Sequence, residues 1–306
     1  MLKISHVVKN FENINALNNV SLNIPKGEFF GLLGPNGAGK STLMNIIIGY
    51  LEADSGQVYI GEEQISPQNI QLRKKIGYVP QEVSLYLELS AYKNLKIFGE
   101  LYGIASKKLE TKIEYVLDLV QLKDRKKDPV KDFSGGMKRR LNLAASLLHD
   151  PEIVLCDEPT VGVDPQSRNA IFDMLSELNK SGKTVVYTTH YMEEAERLCS
   201  RLAIIDHGNI IAIGTLVELI NLLNRKDTIK IQKTALTQDK LSVLREMGMV
   251  NEFDFYFELM PKDGYEKNSA IFGKLEEMGI PNDFIQISRA TLEDVFLNLT
   301  GRSLRD

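Results

Sequence analysis

A glycine-rich loop at residues 34–42, GPNGAGKST, has the residue types and spacing that bind phosphate groups. It fits the pattern G-x-x-x-x-G-K-[ST] and lies between a short apolar run and a stretch that favours a helix. Glycines let backbone N–H groups turn toward phosphate oxygens, a lysine adds positive charge, and a hydroxyl can ligate Mg²⁺. The candidate phosphate-binding residues are Gly34, Pro35, Asn36, Gly37, Ala38, Gly39, Lys40, Ser41 and Thr42. We therefore expect a nucleotide phosphate site at this loop.

Two acids, Asp157 and Glu158, follow an apolar run at residues 152–156. Such a pair at the end of a strand more often forms a solvated turn. In a chain that also carries a phosphate loop, the pair suits phosphoryl transfer, in which Asp157 helps to hold Mg²⁺ and Glu158 activates a water molecule. The sequence thus predicts a hydrolytic site rather than a binding loop alone.

Polar residues also follow other apolar runs of strand length, namely Gln81 after residues 74–79 and His190 after residues 184–188. Further runs of this kind occupy residues 29–33 and 201–205, and helix-like stretches separate them. This alternation predicts an α/β domain with a mostly parallel sheet. Ligands of such sheets bind beyond the carboxyl ends of the strands, so we expect one shared site.

The rest of the chain divides into regions of different pattern. Residues 85–150 carry apolar residues at helical spacing and are predicted to be a helical insertion within a first domain at residues 1–215. Residues 216–306 alternate short strand-like and helix-like stretches, which predicts a small C-terminal α+β domain. Thr291 and Asp294 fit a capping box at the start of its last helix.

Composition excludes several classes of protein. The chain has 306 residues, 43% of them hydrophobic, and a net charge of −4, which gives no reason to expect nucleic-acid binding. Its longest apolar runs are far shorter than the roughly 20 residues of a membrane-spanning helix. Its two cysteines have no spacing typical of metal or disulfide sites, and we interpret Cys156 as core packing. We expect a protein of the reducing cytosol.

The ordered motifs of residues 1–215 resemble those of one family, the nucleotide-binding subunits of ATP-binding cassette transporters. The segment FSGGM is similar to the signature sequence of that family, GYVPQ contains its lid glutamine, and TTH contains its switch histidine. EPTVGVDP resembles the loop that follows the catalytic acid, and Phe11 stands where the family stacks an aromatic ring on adenine. The ending TLEDVFLNLTG after an extra α+β segment resembles the exporter-type subfamily.

This resemblance implies a P-loop NTPase fold, ATP and Mg²⁺ as ligands, and ATP hydrolysis. It assigns Lys40, Gln81, Glu158 and His190 to the catalytic centre, and Ser41, Gln81 and Asp157 to the metal. It also implies that Ser134, Gly135 and Gly136 cap the ATP of a second cassette subunit, in a homodimer or a heterodimer. The implied partner is a separate integral-membrane permease, which would place the chain at the cytoplasmic face of the cell membrane.

Two alternatives remain open at this stage. One is a soluble cassette ATPase that acts on ribosomes or nucleic acid, and the other is an ATPase that senses a ligand through its C-terminal domain. The sequence also departs from the common family pattern, since Phe133 and Met137 replace leucine and glutamine, and adenine selectivity is not secured by Phe11. We interpret the basic residues 138–140 as a solvated helix face.

Overall fold

The computed structural model describes residues 1–66, 68–223, 228–262 and 268–301. The chain divides into two compact units, of which the first covers Met1–Leu216 and the second begins at Val217. The last five residues of the predicted C-terminal domain, 302–306, lie outside the described residues. Each unit has a hydrophobic core of its own.

The first unit contains two sheets and the helices that cover them. Its strands are β1 (Leu2–Phe11), β2 (Ile14–Ile24), β3 (Phe29–Leu33), β4 (Ser55–Ile60), β5 (Glu63–Gln64), β6 (Ile76–Val79), β7 (Ile153–Asp157), β8 (Thr184–Thr189), β9 (Arg201–Asp206) and β10 (Asn209–Gly214). Its helices are α1 (Lys40–Ile47), α2 (Ile70–Arg73), α3 (Ala91–Leu101), α4 (Ser106–Leu119), α5 (Gly135–Leu147), α6 (Pro165–Lys180) and α7 (Met192–Leu198).

The central sheet has the strand order β10-β9-β3-β8-β7-β6, and only the β9–β10 pair is antiparallel. All five residues of β3 are buried, as are all residues of β7 and β8, because helices cover both faces of a parallel sheet. Leu33 pairs with Thr189, and Asp157 pairs with Thr188. This register brings the ends of the three middle strands to one edge, which confirms the predicted α/β fold with a mostly parallel sheet.

A second sheet, with the order β2-β1-β4-β5, is antiparallel throughout. The sequence interpretation missed it because buried and exposed residues alternate along β2 instead of forming a continuous apolar run. Phe11 ends β1 and pairs with Ile14, the first residue of β2, across the hairpin. Both residues line the same cleft as residues of the phosphate loop.

Helices α3, α4 and α5 lie between β6 and β7 in the chain. The apolar residues of α4, which repeat at helical spacing, are buried against α3 and α5 in one cluster that continues into the central sheet. Two short 3₁₀ turns, Lys123–Arg125 and Val130–Asp132, join α4 to α5. Helix α5 begins where Ser134 caps it, at the segment that resembles the family signature.

The second unit is an antiparallel sheet with helices, in the strand order β12-β13-β11-β14. After α8 (Leu216–Asn221), its elements are β11 (Thr228–Gln232), α9 (Ala235–Asp239), α10 (Leu241–Met247), β12 (Gly248–Glu252), β13 (Tyr256–Pro261), α11 (Asn268–Glu277), β14 (Ile285–Ser288) and α12 (Leu292–Thr300). The capping box of α12 is confirmed, because Thr291 and Asp294 each bond the backbone N–H of the other.

Candidate active site

The phosphate loop joins the end of β3 to the start of α1 and needs glycine for two separate reasons. Gly39, which precedes α1, has a φ of 107°, in the region that favours glycine. A Cβ atom at Gly34 would lie 2.2 Å from the carbonyl oxygen of Ile205, and one at Gly39 would lie 2.5 Å from that of Ala16. The loop therefore packs so closely on β2 and β9 that larger residues would displace it.

Lys40, the first residue of α1, is only 4% exposed, although its side chain carries a charge. Its Nζ donates hydrogen bonds to the carbonyl oxygens of Gly34 (2.7 Å) and Pro35 (2.9 Å). It also lies 2.9 Å from Oε1 of Glu158. The buried ammonium group is thus satisfied by the loop carbonyls and by one carboxylate.

Asp157 ends β7 and is 2% exposed. Its Oδ1 accepts a hydrogen bond from the Thr188 hydroxyl (2.7 Å), and its Oδ2 lies 3.5 Å from the Tyr78 hydroxyl. Burial, together with the charge of Asp157, raises the pKa of Tyr78, so this phenol stays protonated and can donate. Thr188 and Tyr78 lie on the strands next to β7, and the sequence interpretation assigned neither of them to the site.

Glu158 is the residue on which the predicted catalytic side chains converge. Its carboxylate is buried, 2.9 Å from Nζ of Lys40 and 3.3 Å from Nε2 of Gln81. Nδ1 of His190 lies 3.3 Å from Oε2, which is an ion-pair distance but lacks hydrogen-bond geometry. The Glu158 backbone has a φ of 45°, and its N–H donates to the Thr188 hydroxyl (2.9 Å). A non-glycine residue in this region is strained by about 1 kcal/mol or more, which the surrounding structure must offset.

A cleft of about 540 Å³ lies over the phosphate loop. It is lined by Phe11, Ile14, Ala16, Asn36, Gly37, Gly39, Lys40, Ser41, Thr42, Gln81 and Glu158. Phe11 and Ile14 are both exposed at its mouth, and Nζ of Lys9 lies 5.5 Å from the centre of the Phe11 ring. The sequence interpretation identified Phe11 but missed Ile14, which extends the apolar surface available to a base.

The segment 134–136 is not part of this cleft. Ser134 and Gly135 are exposed, and the Ser134 hydroxyl accepts a hydrogen bond from the N–H of Met137 (3.2 Å) as the cap of α5. A Cβ atom at Gly136 would lie 2.1 Å from the hydroxyl oxygen of Ser167. Gly136 therefore packs on Ser167 in the first turn of α6, whereas Ser134 and Gly135 lie exposed at the start of α5, where backbone N–H groups lack intrahelical partners.

The interpretation of residues 138–140 as a solvated face is wrong for Arg139. This residue is 8% exposed, and its Nη1 donates to the carbonyl oxygens of Pro80 (3.1 Å) and Gln81. Burial lowers the pKa of the Arg139 guanidinium. One turn further along α5, the side-chain oxygen of Asn142 accepts from the N–H of Ser84 (3.3 Å). Helix α5 thus holds the loop that carries Gln81, a contact that helical periodicity alone does not reveal.

Comparison with known proteins identifies the family of this chain. Residues 17–161 match the family described as "ABC transporter". The chain is 40% identical to the linearmycin resistance ATP-binding protein LnrL of Bacillus subtilis (strain 168), over 100% of both chains. It is 37% identical to the Nod factor export ATP-binding protein I of Cupriavidus metallidurans, over 100% of this chain and 99% of that one. The chain belongs to the ABC transporter family.

Solved structures agree with this membership. A dimeric ATP-binding cassette in a post-hydrolysis state, bound to ADP and Pi, matches with a TM-score of 0.63 and 30% identity over 70% of this chain and 98% of that one. CbiO1 of Clostridium perfringens, described as part of an ABC transporter complex, matches with a TM-score of 0.67 and 25% identity over 80% and 96% of the two chains.

The ABC transporter protein described here is therefore an ATP-binding P-loop ATPase, and it powers a membrane exporter. The alternative of a soluble cassette ATPase acting on ribosomes or nucleic acid is not favoured, since the relatives along the full length of the chain are ATP-binding proteins of linearmycin resistance and of Nod factor export. Among the helices that the structure describes, none combines the length and apolar character needed to cross a bilayer.

Proposed function

We propose that ATP binding exchanges the partners of Lys40 and thereby releases Glu158 as the general base of hydrolysis. The observation that carries this proposal is the buried Lys40–Glu158 pair, 2.9 Å apart at the head of the phosphate loop. Lys40 reaches the β- and γ-phosphates only by leaving this carboxylate and the carbonyl oxygens of Gly34 and Pro35. Glu158 is then free to accept a proton from the attacking water.

Gln81 and His190 report the state of the γ-phosphate in this proposal. Both already lie 3.3 Å from the Glu158 carboxylate, so both can contact a phosphate that enters beside it. Gln81 is exposed on the cleft, whereas His190 follows Thr189 at the end of β8. Loss of the γ-phosphate after hydrolysis removes a partner from each side chain, and this is how the site signals the end of the cycle.

The same site suits Mg²⁺. The candidate ligands supply a hydroxyl from Ser41, an amide oxygen from Gln81 and a carboxylate from Asp157, an all-oxygen set of the kind that Mg²⁺ prefers. Ser41 and Gln81 are exposed on the cleft, and Asp157 is oriented by Thr188. When bound, Mg²⁺ neutralises charge on the phosphate oxygens. The hydroxyl groups of Thr188 and Tyr78 thus hold the Asp157 carboxylate at the end of β7.

Two cassette subunits form the working ATPase. Ser134, Gly135 and Gly136 lie outside the cleft of their own chain, and the first two are exposed at the start of α5. Their N–H groups and the positive end of the helix dipole suit a phosphate held by a second subunit. A similar cassette of 30% identity has been solved as a dimer. Either a homodimer or a heterodimer with a related subunit satisfies this geometry.

The permease docks on the loop and helix at residues 82–98. Tyr86 and Leu87 are exposed there, which presents apolar surface to a partner. The fully buried Asn94 fixes the loop, since its side chain donates to the carbonyl oxygen of Tyr86 (2.9 Å) and accepts from its N–H (2.8 Å). Through this contact the chain associates with the cytoplasmic face of the membrane.

We assign residues 1–215 to the cassette domain, with its helical insertion at about 85–150, and residues 216–306 to an accessory domain. The accessory domain supports packing or dimer assembly, and sensing of a ligand is the alternative. Two relatives with full-length similarity serve linearmycin resistance and Nod factor export, respectively. Because similar ATPase chains serve such different purposes, we assign the choice of cargo to the permease.

Co-purification tests the proposed partnership. The Glu158→Gln variant is isolated with ATP from detergent-solubilised membranes, and the proteins that co-purify with it are identified by mass spectrometry. We expect a multi-span permease, and we expect it to be lost when Tyr86 and Leu87 are both changed to Ser while ATP binding persists. Recovery of ribosomes or other soluble assemblies in place of a permease would contradict the assignment.

A further inference from the structure

A second buried carboxylate, that of Glu194, lies in the first turn of α7 and is 3% exposed. Three hydroxyl groups donate to it, namely those of Thr160 to Oε1 (2.8 Å) and of Tyr187 and Thr189 to Oε2 (2.9 and 2.7 Å). Nε of Arg168 lies 3.7 Å from Oε1, beyond hydrogen-bond distance. A buried carboxylate is costly unless such partners satisfy it, so the three hydroxyls and Glu194 hold one another in place.

The donors come from the two segments that carry the reaction. Thr160 follows Glu158 by two residues, and Thr189 directly precedes His190. The hydroxyl of Thr189 also accepts a hydrogen bond from the N–H of Tyr191 (2.9 Å), which fixes the turn on both sides of His190. One carboxylate, with an oxygen for each segment, therefore joins the segment of the general base to that of the switch histidine.

The segment of Glu158 needs such support because its backbone is strained. Glu158 has a φ of 45°, and residues in this conformation persist only where neighbouring contacts hold them. On one side its N–H donates to Thr188. On the other side Thr160 donates to Glu194, and its hydroxyl oxygen lies 3.1 Å from that of Tyr187.

We propose that Glu194 is a positioning residue for hydrolysis, which sets the mutual placement of Glu158 and His190 through the hydroxyls of Thr160 and Thr189. This inference rests on the proposed roles of Glu158 and His190. It assigns Glu194 no contact with nucleotide, so its loss lowers turnover and leaves ATP affinity intact. In the sequence, Glu193 and Glu194 both belong to an acidic helix start. Only the structure shows that Glu193 is exposed and Glu194 is buried.

The test compares Glu194→Gln with Glu193→Gln in the full-length chain. Both variants remove one negative charge from the same turn of α7. Only Glu194→Gln replaces an oxygen of the buried carboxylate by an amide N–H₂ group, which cannot accept a hydrogen bond from the hydroxyls. We expect kcat of Glu194→Gln to fall about 10- to 100-fold, as displacement of a reacting group by about 1 Å does. The dissociation constant for ATP stays within about twofold, and Glu193→Gln keeps its turnover.

A double-mutant comparison separates positioning from a general loss of structure. The effects of substitutions at residues that act as a unit are not additive. In the Glu158→Gln background, Glu194→Gln should therefore change the residual single-turnover rate by less than about twofold. Equal losses in both backgrounds, or wild-type turnover in Glu194→Gln alone, would overturn the proposal. If Glu194→Gln does not fold, Thr160→Val decides, since it removes one hydroxyl at nearly constant volume and should lower kcat alone.

The outcomes also distinguish this inference from the proposed function. Wild-type turnover in Glu158→Gln would refute the general base and with it the positioning role that rests on it. Wild-type turnover in Glu194→Gln beside an inactive Glu158→Gln would refute only the positioning role.

Discussion

Replacing Glu158 by glutamine should weaken catalysis and strengthen nucleotide binding at the same time. Among the residues that the structure describes, Nζ of Lys40 has three acceptors, and the carboxylate of Glu158, at 2.9 Å, is the charged one. A hydrogen bond to a charged group contributes about 1.5–3 kcal/mol, whereas a neutral one contributes about 0.5–1.5 kcal/mol. The substitution keeps an amide oxygen near Lys40, so it weakens this contact by about 1–1.5 kcal/mol.

The consequence follows from what ATP must displace. In the proposed exchange, phosphate oxygens take the place of Glu158 at Lys40. The variant therefore loses a weaker contact of Lys40 when ATP binds, and the free energy that opposes binding is smaller than in the wild type. The dissociation constant for ATP should therefore decrease by up to about tenfold, since about 1.4 kcal/mol corresponds to a factor of ten. Loss of the general base should lower kcat by about 10²- to 10⁴-fold.

Equilibrium titration with a fluorescent nucleotide and a steady-state hydrolysis assay measure the two quantities. Titration with ADP serves as the control, because ADP engages Lys40 through its β-phosphate but lacks the γ-phosphate expected to close a dimer. Tighter binding of both nucleotides supports the partner exchange at Lys40. Unchanged or weaker ADP binding by Glu158→Gln would refute it, and unchanged kcat would refute the general base.

Three further predictions concern His149, Cys156 and Arg139, which are buried or half-buried. Burial lowers the pKa of His149, whose Nε2 donates to the carbonyl oxygen of Ile76 (2.9 Å). Its unfolded form binds a proton more readily, so stability should fall as pH drops below about 6.5, by at most about 1.4 kcal/mol per pH unit. The melting temperature of His149→Gln should fall less than that of the wild type between pH 7.5 and 5.5, and equal slopes would contradict this. Burial raises the pKa of the Cys156 thiol, which keeps it unreactive in the native protein. In a Cys199→Ser variant, a thiol reagent should therefore label Cys156 only after denaturation. Rapid labelling of the native variant would contradict a closed core. Arg139→Met should fold but have a several-fold lower kcat, because the carbonyl groups of Pro80 and Gln81 lose their hydrogen bonds to Arg139. Unchanged turnover would contradict this prediction.

The sequence predicted the central part of the site because the chemistry lies at the ends of neighbouring strands. The strand at residues 29–33 has the predicted bounds, and continuous apolar runs marked β7 and β8 as well. Since parallel strands end at one edge, Lys40, Glu158 and His190 could be expected to meet there.

Contacts that depend on tertiary packing could not be predicted in the same way. Thr188 bonds Asp157 and Glu158 only because β7 and β8 are neighbours in register. Arg139 and Glu194 resemble solvated charges on amphipathic helices, and only the packing of α5 and α7 shows that both are buried. The sheet of β1, β2, β4 and β5 was missed because β2 alternates in burial, β1 ends in exposed residues and β4 begins with them.

Mixing two inactive variants tests the central claim, that two subunits complete each ATP site. Lys40→Ala removes the phosphate contact. Gly135→Asp places a negative charge at the start of α5, where a Cβ atom has its nearest neighbour 4.0 Å away and the fold can accept it. Each variant alone should be inactive. In heterodimers demonstrated by differential tags, one site combines an intact phosphate loop with an intact segment 134–136, so we predict that ATP hydrolysis reappears. Absence of hydrolysis in purified heterodimers would contradict the composite site.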